Sequence, residues 1–232
     1  MQPDRRRVRS APGRHTDPNR GGESATTELT RRPAAVVYDR VAGVYDWYTA
    51  PMEALGGRRA RQRMLARAHG RVLELGIGTG LNLAYYPPGV ELTGIDISPH
   101  MLDRARQRAA RLGVTAVLEV ADIEALPYPD ASFDTVTATC VFCSVDDPVR
   151  GLREAARVVR PDGQVLLYEH VRPHNPVLGK LTDLVSPLTR RLFGPELNRP
   201  TERNVEAAGL KLAEVRRQGI WREIVATRAR HR

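Results

Sequence analysis

The sequence predicts an α/β fold in which helices cover both faces of a mostly parallel sheet. Three observations support this prediction. Short apolar strands alternate with amphipathic helices from residue 72 onward, which is the pattern of βαβ units. A glycine-rich loop directly follows the first of these strands. Near the end of the chain, two strand-like segments are separated by only three residues, which forces antiparallel pairing. Together they predict a seven-stranded sheet, with five parallel strands closed by a hairpin.

Length and composition limit the possible classes of protein. A chain of 232 residues suits one domain with an appended tail, and 41% hydrophobic and 27% charged residues exclude wholesale disorder. No apolar run reaches the ~18–20 residues of a membrane-spanning helix, and the first residues lack the apolar core of a secretion signal. Two cysteines exclude a disulfide scaffold. We therefore expect a cytoplasmic protein, with peripheral attachment to a membrane as the alternative.

The net charge of +9 raises the question of a nucleic-acid partner. Arginine supplies 34 of the 36 basic residues, which a GC-rich genome's codon preference explains more simply. Residues 1–32 hold eight arginines, four acidic residues and few large apolar side chains, so they are predicted to be a disordered basic tail. Nucleic acid is therefore the weaker hypothesis for the domain at residues 33–232. For the tail, either no function or a tether to anionic lipid or nucleic acid remains open.

The predicted elements follow from local signals. Residues 33–69 have the pattern of N-terminal helices. Ser98 and Pro99 suit the cap and first position of a helix that ends at Gly113, and Asp147 opens the next helix. The strands are predicted at Val72–Leu75, Glu91–Ile97, Ala116–Val120, Phe133–Phe142 and Gln164–Tyr168, with the hairpin at Lys211–Arg217 and Trp221–Thr227.

Other segments connect these elements. A turn is expected at residues 161–163, after a helix whose apolar face extends to Val159. Residues 172–209 are predicted to form helices near the edge of the sheet where a ligand would bind. One helical face there is apolar, with a kink expected at Pro187. That face comprises Val177, Leu181, Leu184, Leu188 and Leu192. It predicts a lid over the active site or, as the alternative, a face that lies on a membrane.

Glycines at positions 76, 78 and 80 follow the first strand. Without Cβ atoms, the backbone can turn tightly there and approach a ligand closely. A dinucleotide-binding loop would require glycine at position 81, where this chain has Leu81. The chain also lacks the Gly-Lys-Ser/Thr sequence of a nucleotide triphosphate loop. The spacing therefore argues against a dinucleotide-binding loop and excludes a nucleotide triphosphate loop.

Acidic residues follow the next two strands. Asp96 ends the second strand, 20 residues after Gly76, where a carboxylate can accept hydrogen bonds from both ribose hydroxyls. Asp122 follows the third strand, where it can accept from an adenine amine while Ile123 packs on the ring. Each acid alone could be a surface turn residue, but their order at successive strand ends favours a shared site.

These motifs resemble the class I S-adenosylmethionine-dependent methyltransferases, which have a Rossmann-like fold. The matching segments are Glu74–Gly80, Gly94–Ser98 with Met101, Asp122–Pro127, Ser132–Asp134 and Val159–Gln164. Asp162 stands where the family usually has glycine. The resemblance extends over roughly residues 35–230, and it includes the terminal hairpin.

The resemblance implies S-adenosylmethionine as cofactor and no metal. The cofactor-binding residues that it implies are Tyr45, Glu74, Gly76, Ile77, Gly78, Gly80, Asn82, Asp96, Ile97, Met101, Asp122, Ile123 and Cys140. Residues 38–46 are similar to the opening helix of the quinone and phospholipid branch, in which one or both tyrosines fold over the cofactor. Tyr38 is accordingly taken as a catalytic residue. The alternative is that Tyr38 and Tyr45 pack the helix on the core.

His170 is the candidate general base, because it ends the fifth strand at the edge where such sheets bind ligands. The alternative is a histidine that is held in the core or against a neighbouring loop. Cys140 and Cys143 form a C-x-x-C motif, but no second pair of soft ligands suggests zinc. On a strand they would point to opposite faces, so we interpret them as buried or cleft-lining thiols.

The acceptor is left open between a thiol and a phospholipid amine. Residues 143–145, 158–161 and 169–171 are similar to the membrane-associated animal methyltransferases of alkyl thiols. The opening helix also resembles phosphatidylethanolamine N-methyltransferases and, as the alternative, menaquinone/ubiquinone C-methyltransferases. Rival classes are a nicotinamide-dependent oxidoreductase and a non-catalytic cofactor binder. A nucleic-acid methyltransferase is disfavoured because the N-P-P-Y motif is absent.

Overall fold

The structure is a computed structural model that describes residues 33–173, 175–193 and 195–229. The basic tail predicted at residues 1–32 lies outside the described residues. The helices are α1 Pro33–Val41, α2 Tyr45–Met52, α3 Arg58–Leu65, α4 Pro99–Leu112, α5 Pro148–Val158, α6 Pro176–Phe193 and α7 Thr201–Ala207, and a π-helical segment Glu53–Gly57 joins α2 to α3. The strands are β1 Arg71–Leu75, β2 Glu91–Asp96, β3 Val117–Val120, β4 Phe133–Thr139, β5 Val159–His170, β6 Leu210–Gln218 and β7 Trp221–Arg228.

The strands form one seven-stranded sheet in the order β3-β2-β1-β4-β5-β7-β6. Strands β1 to β5 are parallel, whereas β7 runs antiparallel to both β5 and β6. The predicted parallel sheet with a terminal hairpin is therefore confirmed. The chain order reverses between β1 and β4, so the loops at their carboxyl ends diverge and leave a crevice for a ligand.

The core lies on both faces of the sheet. Successive side chains of β1 point to opposite faces, and two buried clusters divide them accordingly. Leu73 packs in the cluster that also holds Leu152 of α5 and Val205 of α7. Val72 packs in the other cluster, with Leu102 of α4. Helices thus cover both faces, as the hydrophobic periodicity predicts.

Local capping signals place the helices beside the crevice. The Ser98 hydroxyl accepts a hydrogen bond from the Met101 amide at 3.1 Å, and Gly113 ends α4 in the left-handed conformation. The Asp147 carboxylate accepts from the Arg150 amide at 3.0 Å at the start of α5. The predicted caps are therefore confirmed. They could be predicted from the sequence because each depends on residues within one turn of the helix end.

Two predicted boundaries are wrong. Strand β4 ends at Thr139 instead of Phe142, because Cys140 has a φ of 56° and turns the backbone out of the sheet. The turn expected at residues 161–163 lies inside β5. Its pairing with β4 shifts there, from Phe133 opposite Val159 to Thr135 opposite Gln164, so the extra residues form a bulge. Val159 therefore begins a strand and does not extend the helix.

Helix α6 continues through Pro187 and packs against α1. Its apolar side chains Val177, Leu181, Leu184 and Leu188 are exposed to solvent, so they do not form the inward face of a lid. The side chain of Leu192 is outside what the structure describes. No helix in the described ranges is both long and apolar enough to cross a membrane.

Candidate active site

A pocket lies at the carboxyl ends of β1, β2, β3 and β4, and its volume of about 720 Å³ includes open space at its mouth. It is bounded by the loops that follow these strands and by helices α1, α2 and α4, and its mouth is bordered by Tyr38 and Tyr45, which are half-buried. Ten of the fifteen predicted site residues line it, namely Tyr38, Tyr45, Gly76, Gly78, Asp96, Ile97, Met101, Asp122, Ile123 and Cys140. Sheet topology thus brings together residues that are widely separated in the chain.

Asp96 joins the glycine-rich loop to the start of α4. One carboxylate oxygen accepts from the Gly78 amide at 2.9 Å, and the other accepts from the Ser98 amide at 2.9 Å. Burial raises the pKa of Asp96 to about 6, although the backbone amides oppose this shift. Each oxygen of the carboxylate has a further lone pair, so Asp96 can also accept hydrogen bonds from hydroxyl groups of a ligand.

The glycines of the loop have different roles. A Cβ atom on Gly78 would meet no atom within 4 Å, so the backbone here lies open to a ligand. A Cβ atom on Gly80 would lie 2.6 Å from a methyl carbon of Leu83 and 3.2 Å from the backbone of Ala105. Gly80 therefore allows the loop to pack on α4, and it does not line the pocket.

A buried hydrogen-bond network lies behind the loop. The Arg61 guanidinium donates to Asn82 at 2.9 Å and to the Thr139 hydroxyl at 2.6 Å. The Asn82 amide donates to Glu74 at 2.6 Å, and Tyr86 donates to the second oxygen of Glu74. Burial raises the pKa of Glu74 to about 7. Glu74 and Asn82 thus support the site from behind, because only Thr139 of this network lines the pocket.

The loop after β4 is shaped by a carboxylate from the neighbouring strand. Glu169 accepts from the amides of Val141 at 2.7 Å and Phe142 at 3.0 Å. These contacts hold the turn at Cys140, which lines the pocket. Burial raises the pKa of Cys140 to about 12 and that of Cys143 well above its ordinary value. Because both thiols stay protonated, the motif lacks the reactive thiolate of redox sites.

Hydrogen bonds connect helices α1 and α2 to loops that border the pocket. The Tyr38 hydroxyl is 2.6 Å from the Ser144 hydroxyl, across the mouth. The rings of Tyr38 and Tyr45 meet edge to face, with centroids 6.3 Å apart. The Thr79 hydroxyl, in the glycine-rich loop, donates to Asp46 at 2.6 Å. Both tyrosines therefore lie at the pocket mouth instead of in the core.

His170 and Ile77 do not line the pocket. The His170 ring is buried against the edge of Trp221, with centroids 5.9 Å apart, and burial lowers its pKa to about 4. An imidazole with so low a pKa is a weak base, so the geometry agrees with the alternative of a histidine packed in the protein. Ile77 packs in the core cluster on the α4 side of the sheet.

The pocket is acidic in a chain of net charge +9. Among the described residues that line it, four have carboxyl groups and none is basic. The four are Asp96, Asp122, Glu124 and Asp146. A pyrophosphate would be repelled here, whereas a ligand with cationic groups and ribose hydroxyls would be attracted. S-adenosylmethionine has a sulfonium, an ammonium and a ribose, so these residues fit it better than they fit a nicotinamide dinucleotide.

Seven further residues that the sequence did not mark line the pocket. They are Ala34, Glu124, Thr139, Val141, Ser144, Val145 and Asp146. Four of them follow the end of β4, which the apolar run through Phe142 hid. Placing the strand end at Thr139 would have revealed them, because this loop lies beside β1 at the crevice. No feature of the sequence marked Arg61 as part of the site, because it lies in an arginine-rich helix whose composition is typical of a helix exposed to solvent.

Comparisons with known proteins agree with this geometry. A family model described as "Methyltransferase domain" matches residues 73–167. A phosphatidylethanolamine N-methyltransferase of Cereibacter sphaeroides is 40% identical over 129 residues, which are 55% of this chain and 63% of that protein. A demethylmenaquinone methyltransferase of Deinococcus radiodurans is 40% identical over 125 residues, 53% and 52% of the two chains.

A thiol S-methyltransferase of Homo sapiens, TMT1B, is 38% identical over 112 residues, 46% of each chain. This chain thus spans about half to two thirds of the length of the curated relatives that it matches. Among solved structures, the YcgJ protein of Bacillus subtilis superposes with a TM-score of 0.58 at 29% identity. That superposition covers 68% of this chain and 71% of the other.

Proposed function

We propose that this chain, which belongs to the class I S-adenosylmethionine-dependent methyltransferases, transfers a methyl group to a small or lipid-like acceptor. The observation that carries the proposal is the acidic pocket that the glycine-rich loop lines. It offers carboxylates at the two strand ends where a ribose and an adenine would bind, and no basic group for a phosphate among its described lining residues. This charge distribution argues against the rival oxidoreductase.

The pocket residues divide into three groups for binding S-adenosylmethionine. The Asp96 carboxylate would accept hydrogen bonds from the ribose hydroxyls. Asp122 and Ile123 would hold the adenine, by accepting from its amine and packing on its ring. The backbone at Gly78 and the wall at Cys140 would face the methionine part. Each role depends on a residue that lines the pocket.

Bound S-adenosylmethionine supplies a methyl group that is already activated by the adjacent sulfonium. The protein's tasks are therefore alignment and exclusion of water. Tyr38 and Tyr45 would shield the bound cofactor from water, because α1 and α2 are hydrogen-bonded to the loop after β4 and to the glycine-rich loop, respectively. The paired hydroxyls of Tyr38 and Ser144 can hydrogen-bond to an acceptor atom and orient it toward the methyl group, and the proton that the acceptor releases passes to solvent. We propose no base role for His170.

The first acceptor class is a thiol. No histidine or lysine is among the described lining residues, and a thiol with a pKa near ~8.5 needs the least help to lose its proton. A phospholipid amine is the second, and a quinol carbon is the alternative. The relatives named for phosphatidylethanolamine, demethylmenaquinone and thiols support all three as candidates.

The test is release of S-adenosylhomocysteine, measured by mass spectrometry with an alkyl thiol, phosphatidylethanolamine vesicles or a demethylmenaquinol. We expect turnover with the thiol or the lipid, and a fall in kcat of about tenfold in Tyr38→Phe. Tyr128→Phe is the matched control, because its hydroxyl donates to Glu119 away from the pocket. Binding of S-adenosylmethionine without turnover on any acceptor would support the non-catalytic alternative instead.

A further inference from the structure

Helix α6 presents its apolar side to solvent. Leu181, Leu184 and Leu188 are 53%, 77% and 59% exposed, and Val177 lies on the same side. On the opposite side of the helix, Ser186 is buried at 3% exposure. An amphipathic helix of a water-soluble domain ordinarily has the reverse orientation. We name the four exposed residues, Val177, Leu181, Leu184 and Leu188, the leucine ridge.

Specific hydrogen bonds fix this orientation. The Ser186 hydroxyl accepts from the Leu197 amide at 2.7 Å and donates to the Asn198 side chain at 3.1 Å. One turn later, the Thr189 hydroxyl donates to the Pro195 carbonyl at 2.9 Å. The polar side of α6 is therefore bonded to the segment that follows it. Rotating the leucine ridge inward would leave these buried polar groups unsatisfied.

Basic residues border the leucine ridge. Lys180 lies one turn before Leu184, and Arg191 lies one turn after Leu188, so both project beside the ridge. Both side chains are exposed. The acidic Asp183 lies on another side of the helix, where Arg172 binds it at 2.7 Å. The ridge is thus apolar with a positive border, which is the composition of helices that lie in the surface of an anionic bilayer.

We propose that the leucine ridge of α6 binds the surface of an anionic phospholipid bilayer, with Lys180 and Arg191 contacting the headgroups. Helix α6 packs against α1, which supplies Tyr38 to the pocket. Attachment through the ridge would therefore hold the pocket mouth close to acceptors dissolved in the membrane. This last consequence rests on the proposed function, whereas bilayer binding itself does not.

The test is sedimentation of the full chain with vesicles of equal parts phosphatidylcholine and phosphatidylglycerol. The double variant Leu184→Gln with Leu188→Gln should bind at least ~10-fold more weakly, because two inserted apolar side chains are lost. Leu112→Gln is the matched control, since Leu112 is 47% exposed at the far end of α4. It should bind as the wild type does. All variants keep residues 1–32, so their differences report the ridge alone.

A second variant tests the positive border. Lys180→Gln with Arg191→Gln should weaken binding to these vesicles and leave binding to pure phosphatidylcholine unchanged. Equal vesicle binding by wild type and the leucine double variant would overturn the proposal. So would a wild-type dimer that the leucine variant dissociates, because the ridge would then serve a second copy. S-adenosylmethionine affinity, measured on the same variants, should not change, which separates failure of this proposal from failure of the proposed function.

Discussion

Replacing Asp96 with asparagine tests whether this carboxylate binds the ribose, because the substitution should affect the affinity for S-adenosylmethionine and the stability of the fold differently. The carboxylate accepts from the amides of Gly78 and Ser98, both at 2.9 Å, and burial raises its pKa from 3.8 to about 6. Asparagine keeps the size of the side chain and one acceptor oxygen, but it removes the charge. Binding and folding should therefore respond differently.

The stability effect has two opposing parts. A pKa rise of about two units corresponds to about 3 kcal/mol of unfavourable free energy for the charged form at pH 7.5. Asparagine removes this cost, but its NH₂ group meets one of the two amide donors, which costs about 1–3 kcal/mol. The free energy of unfolding of Asp96→Asn should therefore equal that of wild type or exceed it by up to about 2 kcal/mol at pH 7.5.

The pH dependence gives the sign. Because the pKa of Asp96 is raised in the folded state, protonation of this carboxyl stabilises the wild-type fold. The stabilisation is complete below pH 3.8, the pKa of the unfolded chain, and it is lost as the pH rises through about 6, the pKa of the folded protein. Asp96→Asn lacks this contribution, so its stability relative to wild type should fall by about 2 kcal/mol between pH 7.5 and pH 4.5. Urea unfolding at both values measures the difference. A constant difference would contradict the buried-carboxylate interpretation.

The affinity effect should remain at neutral pH. Loss of a charge-assisted pair of hydrogen bonds should weaken S-adenosylmethionine binding by at least ~1.5 kcal/mol, or about tenfold, at pH 7.5. Isothermal calorimetry measures it on the same protein samples. Unchanged affinity in a variant that folds normally would refute the assignment of Asp96 to the ribose.

Three further outcomes follow from the packing around the site. Gly80→Ala should lower the free energy of unfolding by at least ~2 kcal/mol, because its Cβ would lie 2.6 Å from Leu83. The control Gly89→Ala also places alanine in the left-handed region but meets no neighbouring atom, so it should lower the free energy of unfolding by only about 1 kcal/mol. Equal losses in thermal melts would contradict this packing role of Gly80. Burial raises the pKa of Cys140 to about 12, so its thiol should react with iodoacetamide at pH 8 at least ~100-fold more slowly than a free cysteine peptide. Mass spectrometry measures the extent of labelling, and rapid labelling would show a reactive thiol. His170→Gln should leave kcat within about threefold of wild type, because a base with a pKa near 4 outside the pocket contributes little; loss of turnover at unchanged stability would restore the base role.

Much of the fold was predictable because its signals are local. The caps at Ser98 and Asp147 act within one turn, and the strand-loop pattern around the glycines lies within a dozen residues. The end of β4 was not predictable in this way. The turn at Cys140 depends on Glu169, which lies almost thirty residues later and accepts from the loop amides.

The site shows the same division between local and tertiary information. The position of Asp96 and Asp122 in one pocket could be predicted because parallel topology places strand ends at one edge of the sheet. Arg61 could not, since its burial depends on Asn82 and Thr139 from other elements. The leucines of α6 show periodicity, but periodicity does not say which side of a helix faces the protein. That orientation is set by hydrogen bonds of Ser186.

The most direct test of the central claim is calorimetric titration of the purified chain with S-adenosylmethionine and, separately, with NADH. We predict micromolar binding of S-adenosylmethionine that Asp96→Ala abolishes, together with no binding of NADH to the acidic pocket. Binding of NADH without binding of S-adenosylmethionine would contradict the assignment and revive the oxidoreductase hypothesis.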